Sequence, residues 1–355
     1  MKGFSKNLLI FLILSLFLFS CGQQSDTFSG DFLLGYTGWL STPFYDSMAL
    51  PAWDGEDRLW TAFENEKRIL RKIDFEGNTQ EKITFYIYPD SPESIHDPYV
   101  SSDGSTIVFT LESSNGSYRD LVRIKTGTSD YSMFSLDGAN NIRLPNLSNL
   151  YITSPCYVSE ELLGYLGYQL DFNTYTATQS YYMYDFTTGN TRSILLGSYA
   201  FDNEGNITGG DVFYSPDIYL GSDDSGNSYE MVMFCVRLDP EEYPSDSSDA
   251  VYTVRMFSAD GEMNYDGLDD GFQFENIGGI RWFDDSSLIM TVRENSEWKV
   301  ISAGEGGVTR EILNLGSDLY SLSGLNISPS GEKCVTRKLR GEYDSYSELI
   351  IIDLY

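Results

Sequence analysis

Asp97-Pro98-Tyr99-Val100-Ser101-Ser102-Asp103-Gly104-Ser105-Thr106-Ile107-Val108-Phe109-Thr110 reads as a short extended segment, a tight turn and an apolar strand. Asp103 can hydrogen-bond its own backbone and Gly104 accepts a positive φ, so Ser102-Asp103-Gly104 is turn chemistry. Ile107-Val108-Phe109 is the β-branched and aromatic run of a buried strand. The unit is a hairpin, and variants of it recur along the chain, which makes it a repeat.

Each copy can be aligned on the aromatic or apolar residue before its turn, giving Trp53, Val100, Tyr157, Tyr214, Trp282 and Ile327. Around these anchors stand Pro51-Ala52-Trp53-Asp54-Gly55, Pro98 to Gly104, Pro155-Cys156-Tyr157-Val158-Ser159, Tyr214-Ser215-Pro216-Asp217, Trp282-Phe283-Asp284-Asp285-Ser286 and Ile327-Ser328-Pro329-Ser330-Gly331. A second signature follows by about one hairpin: Leu70 to Gly77, Leu121 to Gly127, Tyr182 to Gly189, Val254 to Gly261 and Val300 to Gly306. Each of these reads as strand, glycine turn, outer strand. A unit therefore holds four strands, one blade, and six units predict an all-β, six-bladed β-propeller. Blades pack on both faces, so strands such as Leu288-Ile289-Met290 and Met231 to Val236 are continuously apolar.

The repeats resemble the Pro-x-Trp-Ser-Pro-Asp-Gly units of TolB-like, WD-type β-propellers, over nearly all of the chain after its leader. The resemblance implies the fold. The sixth unit ends at Tyr355, before its outer strand, while Phe32 to Trp39 precedes the first blade without a blade of its own. The expectation is that this N-terminal strand joins the last blade, closes the ring and removes an exposed edge. The longest interval falls in the fourth unit, where Asp239 to Asp249 is a polar, acidic excursion.

At the N-terminus, Lys2 and Lys6 precede an apolar run, Leu8 to Phe19, too short to span a bilayer comfortably. Residues 1–20 thus read as a secretion signal. Leu18-Phe19-Ser20-Cys21 resembles the bacterial lipobox, which implies that Cys21 becomes the lipidated first residue of a mature lipoprotein. Residues 21–30 form a tether, and residues 31–355 the propeller domain. Gly22 stands where an Asp would hold a lipoprotein in the inner membrane, which favours the outer membrane of a bacterial cell envelope, on its periplasmic or surface side.

The 355 residues carry 23 Lys and Arg against 53 Asp and Glu, a formal charge of −30. Clustered basic residues are absent, so nucleic acid is excluded as a partner. The overall acidity predicts a preference for cationic or neutral ligands. Neither a Gly-x-Ser-x-Gly elbow nor a His-Glu-x-x-His motif is present, and no cofactor motif is found. Asp266-Gly267-Leu268-Asp269-Asp270-Gly271 lacks the ligand spacing of an EF-type loop, with Leu268 and Ile277 at ligand positions. Cys156, Cys235 and Cys334 fall in the third, fourth and sixth blades; the third and sixth lie opposite each other and a disulfide needs Cα atoms within about 7 Å, so that pair is excluded, and buried free thiols are expected over a bridge or metal site. Tyr165, Tyr168, Tyr175, Tyr181, Tyr182 and Tyr184 are expected to pack between blades, with an aromatic platform for carbohydrate or peptide as the alternative.

His96, the single histidine, precedes Asp97-Pro98 on what reads as the loop entering the second blade, beside the central channel. His96 and Asp97 are therefore the candidate ligand-binding residues. Two functions stay open. One is a membrane-anchored binding module for a protein, peptide or glycan. The other is a glycan hydrolase or lyase using channel carboxylates, which in a retaining enzyme stand about 5 Å apart. Lacking a catalytic motif, the chain reads as a binder.

Overall fold

A computed structural model describes residues 36–41, 51–62, 69–86, 94–101, 103–112, 119–127, 130–132, 142–144, 150–222, 228–239, 250–269, 271–284, 287–304, 309–317, 321–339 and 347–354. The leader, Cys21, Phe32 to Gly35 and most of the Asp239 to Asp249 excursion lie outside these residues. Six sheets, antiparallel but for one added strand, follow one another along the chain as the blades of a propeller.

Blade 1 holds β2 (Ala52–Trp53), β3 (Arg58–Ala62), β4 (Ile69–Asp74) and β5 (Thr79–Tyr86). Blade 2 holds β6 (Ser94–Val100), β7 (Thr106–Glu112), β8 (Arg119–Lys125) and β10 (Ile142–Leu144). Blade 3 has five strands: β11 (Leu150–Ser159), β12 (Leu162–Asp171), β13 (Thr176–Asp185), β14 (Thr191–Phe201) and β15 (Ile207–Gly209). Blade 4 comprises β16 (Val212–Ser222), β17 (Ser228–Arg237), β18 (Tyr252–Ser258) and β19 (Met263–Asp266). Blade 5 comprises β20 (Asn276–Asp284), β21 (Ser287–Glu294), β22 (Glu297–Gly304) and β23 (Thr309–Gly316). Blade 6 is β24 (Ser321–Ile327), β25 (Lys333–Leu339), β26 (Ser347–Leu354) and, from the other end of the chain, β1 (Tyr36–Ser41).

The expected closure is present. β1 runs antiparallel to β26, with Trp39 opposite Ile352 and Ser41 opposite Ile350. Two blades depart from the four-strand rule: blade 3 carries β15, and blade 1 gains β9 (Asp130–Ser132), which the chain lays parallel to β5 after Gly127 before returning to blade 2 as β10.

The second strand of each blade explains the continuous apolar runs. Along β7, Ile107, Phe109 and Leu111 pack into a core shared with blade 1, whereas Val108 points the other way into a core shared with blade 3. Likewise Val232, Phe234 and Val236 of β17 face blade 3, while Met233 and Cys235 face blade 5. A period-2 strand buried on both faces must be apolar at every step. Six such cores lie between successive blades, and the sixth, joining Trp53, Leu59 and Ile73 to Val335, Leu349 and Ile351, seals blade 1 to blade 6. Cys156, Cys235 and Cys334 are buried free thiols within this packing.

In the deciding hairpin, the Asp103 carboxylate accepts hydrogen bonds from Ser101 Oγ at 2.7 Å and from the Ser105 amide at 2.9 Å, and Gly104 takes φ 70°. Those bonds hold the Asp103 pKa down to about 2.

Blades 4 and 5 correct the repeat alignment. Ser215-Pro216-Asp217 is not the hairpin turn but the middle of β16, opposite Cys235 to Met233. The turn lies after Ser222, so the residue matching Val100 is Ile218 rather than Tyr214, and in blade 5 it is Ile280 rather than Trp282.

Candidate functional site

Each described innermost strand from blade 2 to blade 6 breaks register at a common place, and β11 and β20 break a second time nearer the turn. The shift falls between His96 and Tyr99 in β6, Thr153 and Cys156 in β11, Tyr214 and Asp217 in β16, Ile277 and Gly279 in β20, and Ser323 and Asn326 in β24. These are β-bulges, which bend a strand and re-aim its side chains. Asp97, Ser154 and Ser215 sit at the bulges with φ of 49°, 50° and 47°, and Gly324 with 71°. The left-handed region is strained for residues bearing a Cβ, by about 1–2 kcal/mol each. Three strained positions in register around one axis are a built feature.

The bulges line a cavity of about 300 Å³ in the central channel, formed mainly by the inner strands around their register breaks. His96, Asp97, Ser154, Ser215, Gly278, Gly324 and Asn326 belong to its wall, together with Arg119, Arg281 and Arg337. Both sequence candidates therefore meet the channel, although on the strand β6 itself and not on a loop before it. The stretch 42–50, which precedes the innermost strand of blade 1, lies outside the described residues.

One side of the cavity is an ion cluster. Arg119 donates to Glu112 Oε2 through Nε at 2.9 Å and Nη2 at 2.8 Å, and to Asp97 Oδ2 through Nη1 at 3.2 Å. Its guanidinium also lies over the Tyr151 ring, 4.5 Å from the centroid. Tyr151 donates its hydroxyl to Glu112 at 3.3 Å; its own pKa is pushed up to about 12, chiefly by burial. His96 Nε2 stands 3.5 Å from Glu112 Oε2. Burial and then the Arg119 charge lower the imidazole pKa against the pull of Asp97 and Glu112, so His96 is neutral at pH 7.

The other side is carried by blades 4 to 6. Asp217 accepts the Trp282 amide at 2.7 Å, and its pKa is raised, because burial outweighs the Arg281 charge and its hydrogen bonds. Arg281 donates Nε to Asn326 Oδ1 at 3.2 Å and Nη1 to the Ile280 carbonyl at 2.7 Å. Asn326 in turn donates to the Pro51 carbonyl at 3.0 Å. Arg337 reaches Ser323 Oγ through Nη2 at 3.2 Å; burial lowers its pKa, opposed by Asp97. Among the described residues no carboxylate lies within ion-pair distance of Arg281.

Glycine sets how closely two blades approach here. A Cβ on Gly278 would fall 2.5 Å from the Leu322 carbonyl oxygen, and one on Gly279 would fall 2.5 Å from the Leu325 nitrogen. Blades 5 and 6 therefore touch backbone to backbone beside Arg281 and Arg337.

Of the residues lining this cavity, sequence reasoning singled out His96 and Asp97 and passed over the arginines, so that a channel expected to suit cationic or neutral ligands carries three guanidiniums in its wall. In register Arg281 falls one residue beyond the apolar place held by Val100, Tyr157, Ile218, Ile280 and Ile327, where no repeat position marks it. The tyrosines behave as packing: Tyr165 stacks on Tyr182 at 5.3 Å, Tyr168 donates to the Phe213 carbonyl at 2.7 Å, and Tyr181 is buried. Tyr175 differs, standing exposed near Phe172 and against Phe201. Asp266 of the acidic turn is committed to Arg255, at 2.9 Å.

No family model and no curated protein matches the chain by sequence. Among solved structures, the plexin A4 full extracellular region is similar with a TM-score of 0.50 at 7% identity, over 90% of this chain and 51% of that one. The β-propeller domain of the Trilobed protease from Pyrococcus furiosus gives 0.45 at 11%, over 88% and 94%. The polysaccharide lyase Uly1 gives 0.45 at 10%, over 94% of each chain. At such identities the likeness is one of fold.

Proposed function

We propose that this chain is a lipid-anchored recognition module of a bacterial envelope, probing a protein, peptide or glycan partner with the channel cavity at His96 and Asp97. The observation that carries this reading is the ring of in-register bulges, which spends backbone strain on shaping one cavity and aims polar side chains from five blades into it. A wall cross-linked between neighbouring blades, by Asp217 to Trp282, Arg281 to Asn326 and Asn326 to Pro51, is rigid before any ligand arrives. The Leu18-Phe19-Ser20-Cys21 motif supports the anchor, as does a leader that ends in small residues.

Binding is favoured over glycan cleavage by how the cavity carboxylates are used. Asp97 and Glu112 both grip Arg119, which suits them to holding a guanidinium rather than to protonating a leaving group. The test compares partner capture from solubilised envelope by the wild-type chain and by Ser323→Trp, which fills the cavity, alongside a screen for glycan and peptide turnover. Loss of capture in the filled variant, with its melting temperature retained, supports the reading. Turnover that disappears on changing Asp97 or Glu112 in a folded protein replaces it with the enzymatic one.

A further inference from the structure

We infer that the ligand presents a carboxylate to the blade 5 and blade 6 side of the cavity, where Arg281 and Arg337 receive it. This rests on the reading of the channel as a binding site and names the chemistry of what enters it.

The argument begins with the arginines' different company. Arg119 is answered by two acids and needs no further anion. Among the described residues Arg281 donates to neutral oxygens, an amide and a carbonyl, and the acid that feels its charge, Asp217, is pushed toward its neutral form by burial. Those bonds use Nε and Nη1, and among the described residues Nη2 has no acceptor. Arg337, which lines the same cavity, is buried enough for its proton affinity to fall, and it is oriented by the Ser323 hydroxyl. A buried cation is stabilised by an anion with matching hydrogen-bond geometry, and a planar carboxylate fits the planar fork of Arg.

The same inventory limits the charge of the guest. Asp97 lines the cavity and shares Arg119 with Glu112, so a doubly charged phosphate would meet more repulsion than a singly charged carboxylate. Net charge works in the same direction, because a chain at −30 repels anions at long range, and only a local, directional pair of guanidiniums can hold one. The neutral His96 across the cavity adds a hydrogen-bonding partner rather than a competing cation.

Carboxylates in an envelope come from two sources, the C-terminus of a peptide and an acidic sugar. The experiment titrates the full chain, purified in detergent, with four probes by calorimetry: acetyl-Gly-Gly as the free acid and as the amide, and glucuronate and its methyl ester. Inorganic phosphate serves as a fifth. At least one acid is expected to bind about tenfold more tightly than its neutral twin and than phosphate, and the acid that does so identifies the source. Arg281→Gln should erase the difference, and Arg281→Lys should keep part of it. Equal binding of acid and neutral twin by the wild-type chain, no acid binding up to about 10 mM, stronger binding of phosphate, or an undiminished preference in folded Arg281→Gln would each overturn the inference. The wild-type comparison decides the matter even if a variant fails to fold. If Ser323→Trp still abolishes partner capture while acids show no preference, the channel reading stands and the carboxylate falls. If Ser323→Trp leaves capture intact, the channel reading itself falls.

Discussion

Glu56 and Ser330, 274 positions apart in the chain, form a clasp across the seam between blades 1 and 6: the carboxylate accepts the Ser330 amide at 2.8 Å and its hydroxyl at 2.7 Å. Both residues belong to turns that follow the first strand of their blade, so the clasp ties together the two blades that meet where the ring closes.

The clasp is pH-sensitive. Burial alone would raise the Glu56 pKa, but hydrogen bonds from Ser330 and Ser328 and the charge of Lys333 together hold it below the ordinary value. A carboxylate with a depressed folded pKa stabilises the protein above its unfolded pKa, and that contribution disappears as pH falls through the folded one. The wild-type melting temperature should therefore drop below about pH 4.5 more steeply than that of Glu56→Gln. Near pH 7 the variant should be less stable by about 0.5–1 kcal/mol, a small effect because the pair faces solvent. Parallel profiles for the two proteins would assign the clasp no role.

Removing residues 36–41 should uncover the edge of β26, whose Leu349 to Ile352 run is apolar and paired on one side only without β1. The deletion protein is expected to associate and to melt several degrees lower, as read by size-exclusion chromatography and calorimetry. A deletion protein that stays monomeric and melts normally would contradict this.

Gly279→Ala puts a methyl group 2.5 Å from the Leu325 nitrogen and should force blades 5 and 6 apart, costing about 1–3 kcal/mol. Gly209→Ala meets nothing within 4 Å and should stay within about 0.5 kcal/mol of wild type. Denaturant melts of the two variants give the comparison, and equal losses would show that the close approach is not limiting.

Cys21→Ala should abolish lipid attachment and release the chain from membranes, as read by fractionation and intact mass. Retention of both the membrane partition and the acyl mass shift would exclude Cys21 as the anchor.

The architecture was readable because each blade repeats a local signal, an apolar run ending at a turn such as Asp103-Gly104. The register was less so. Ser215-Pro216-Asp217 has the composition of a turn yet sits in a bulge, and both environments suit the same residues because both need a kinked backbone with a polar side chain. The arginines were hidden for another reason. Arg119, Arg281 and Arg337 lie on a third, a first and a second strand, and only the closing of the ring brings them together. A site assembled from five blades leaves no compact motif in the sequence.

The pairing of β1 with β26 also sets an order in time. A chain made from its N-terminus exposes Tyr36 to Ser41 early and Ser347 to Leu354 after every other described strand, so the first strand must wait for its partner through the synthesis of five blades. Until they meet, the two ends of the arc are free, and Asn326 has no fixed route to Pro51. The cavity thus takes its shape late, when the last described strand meets the first.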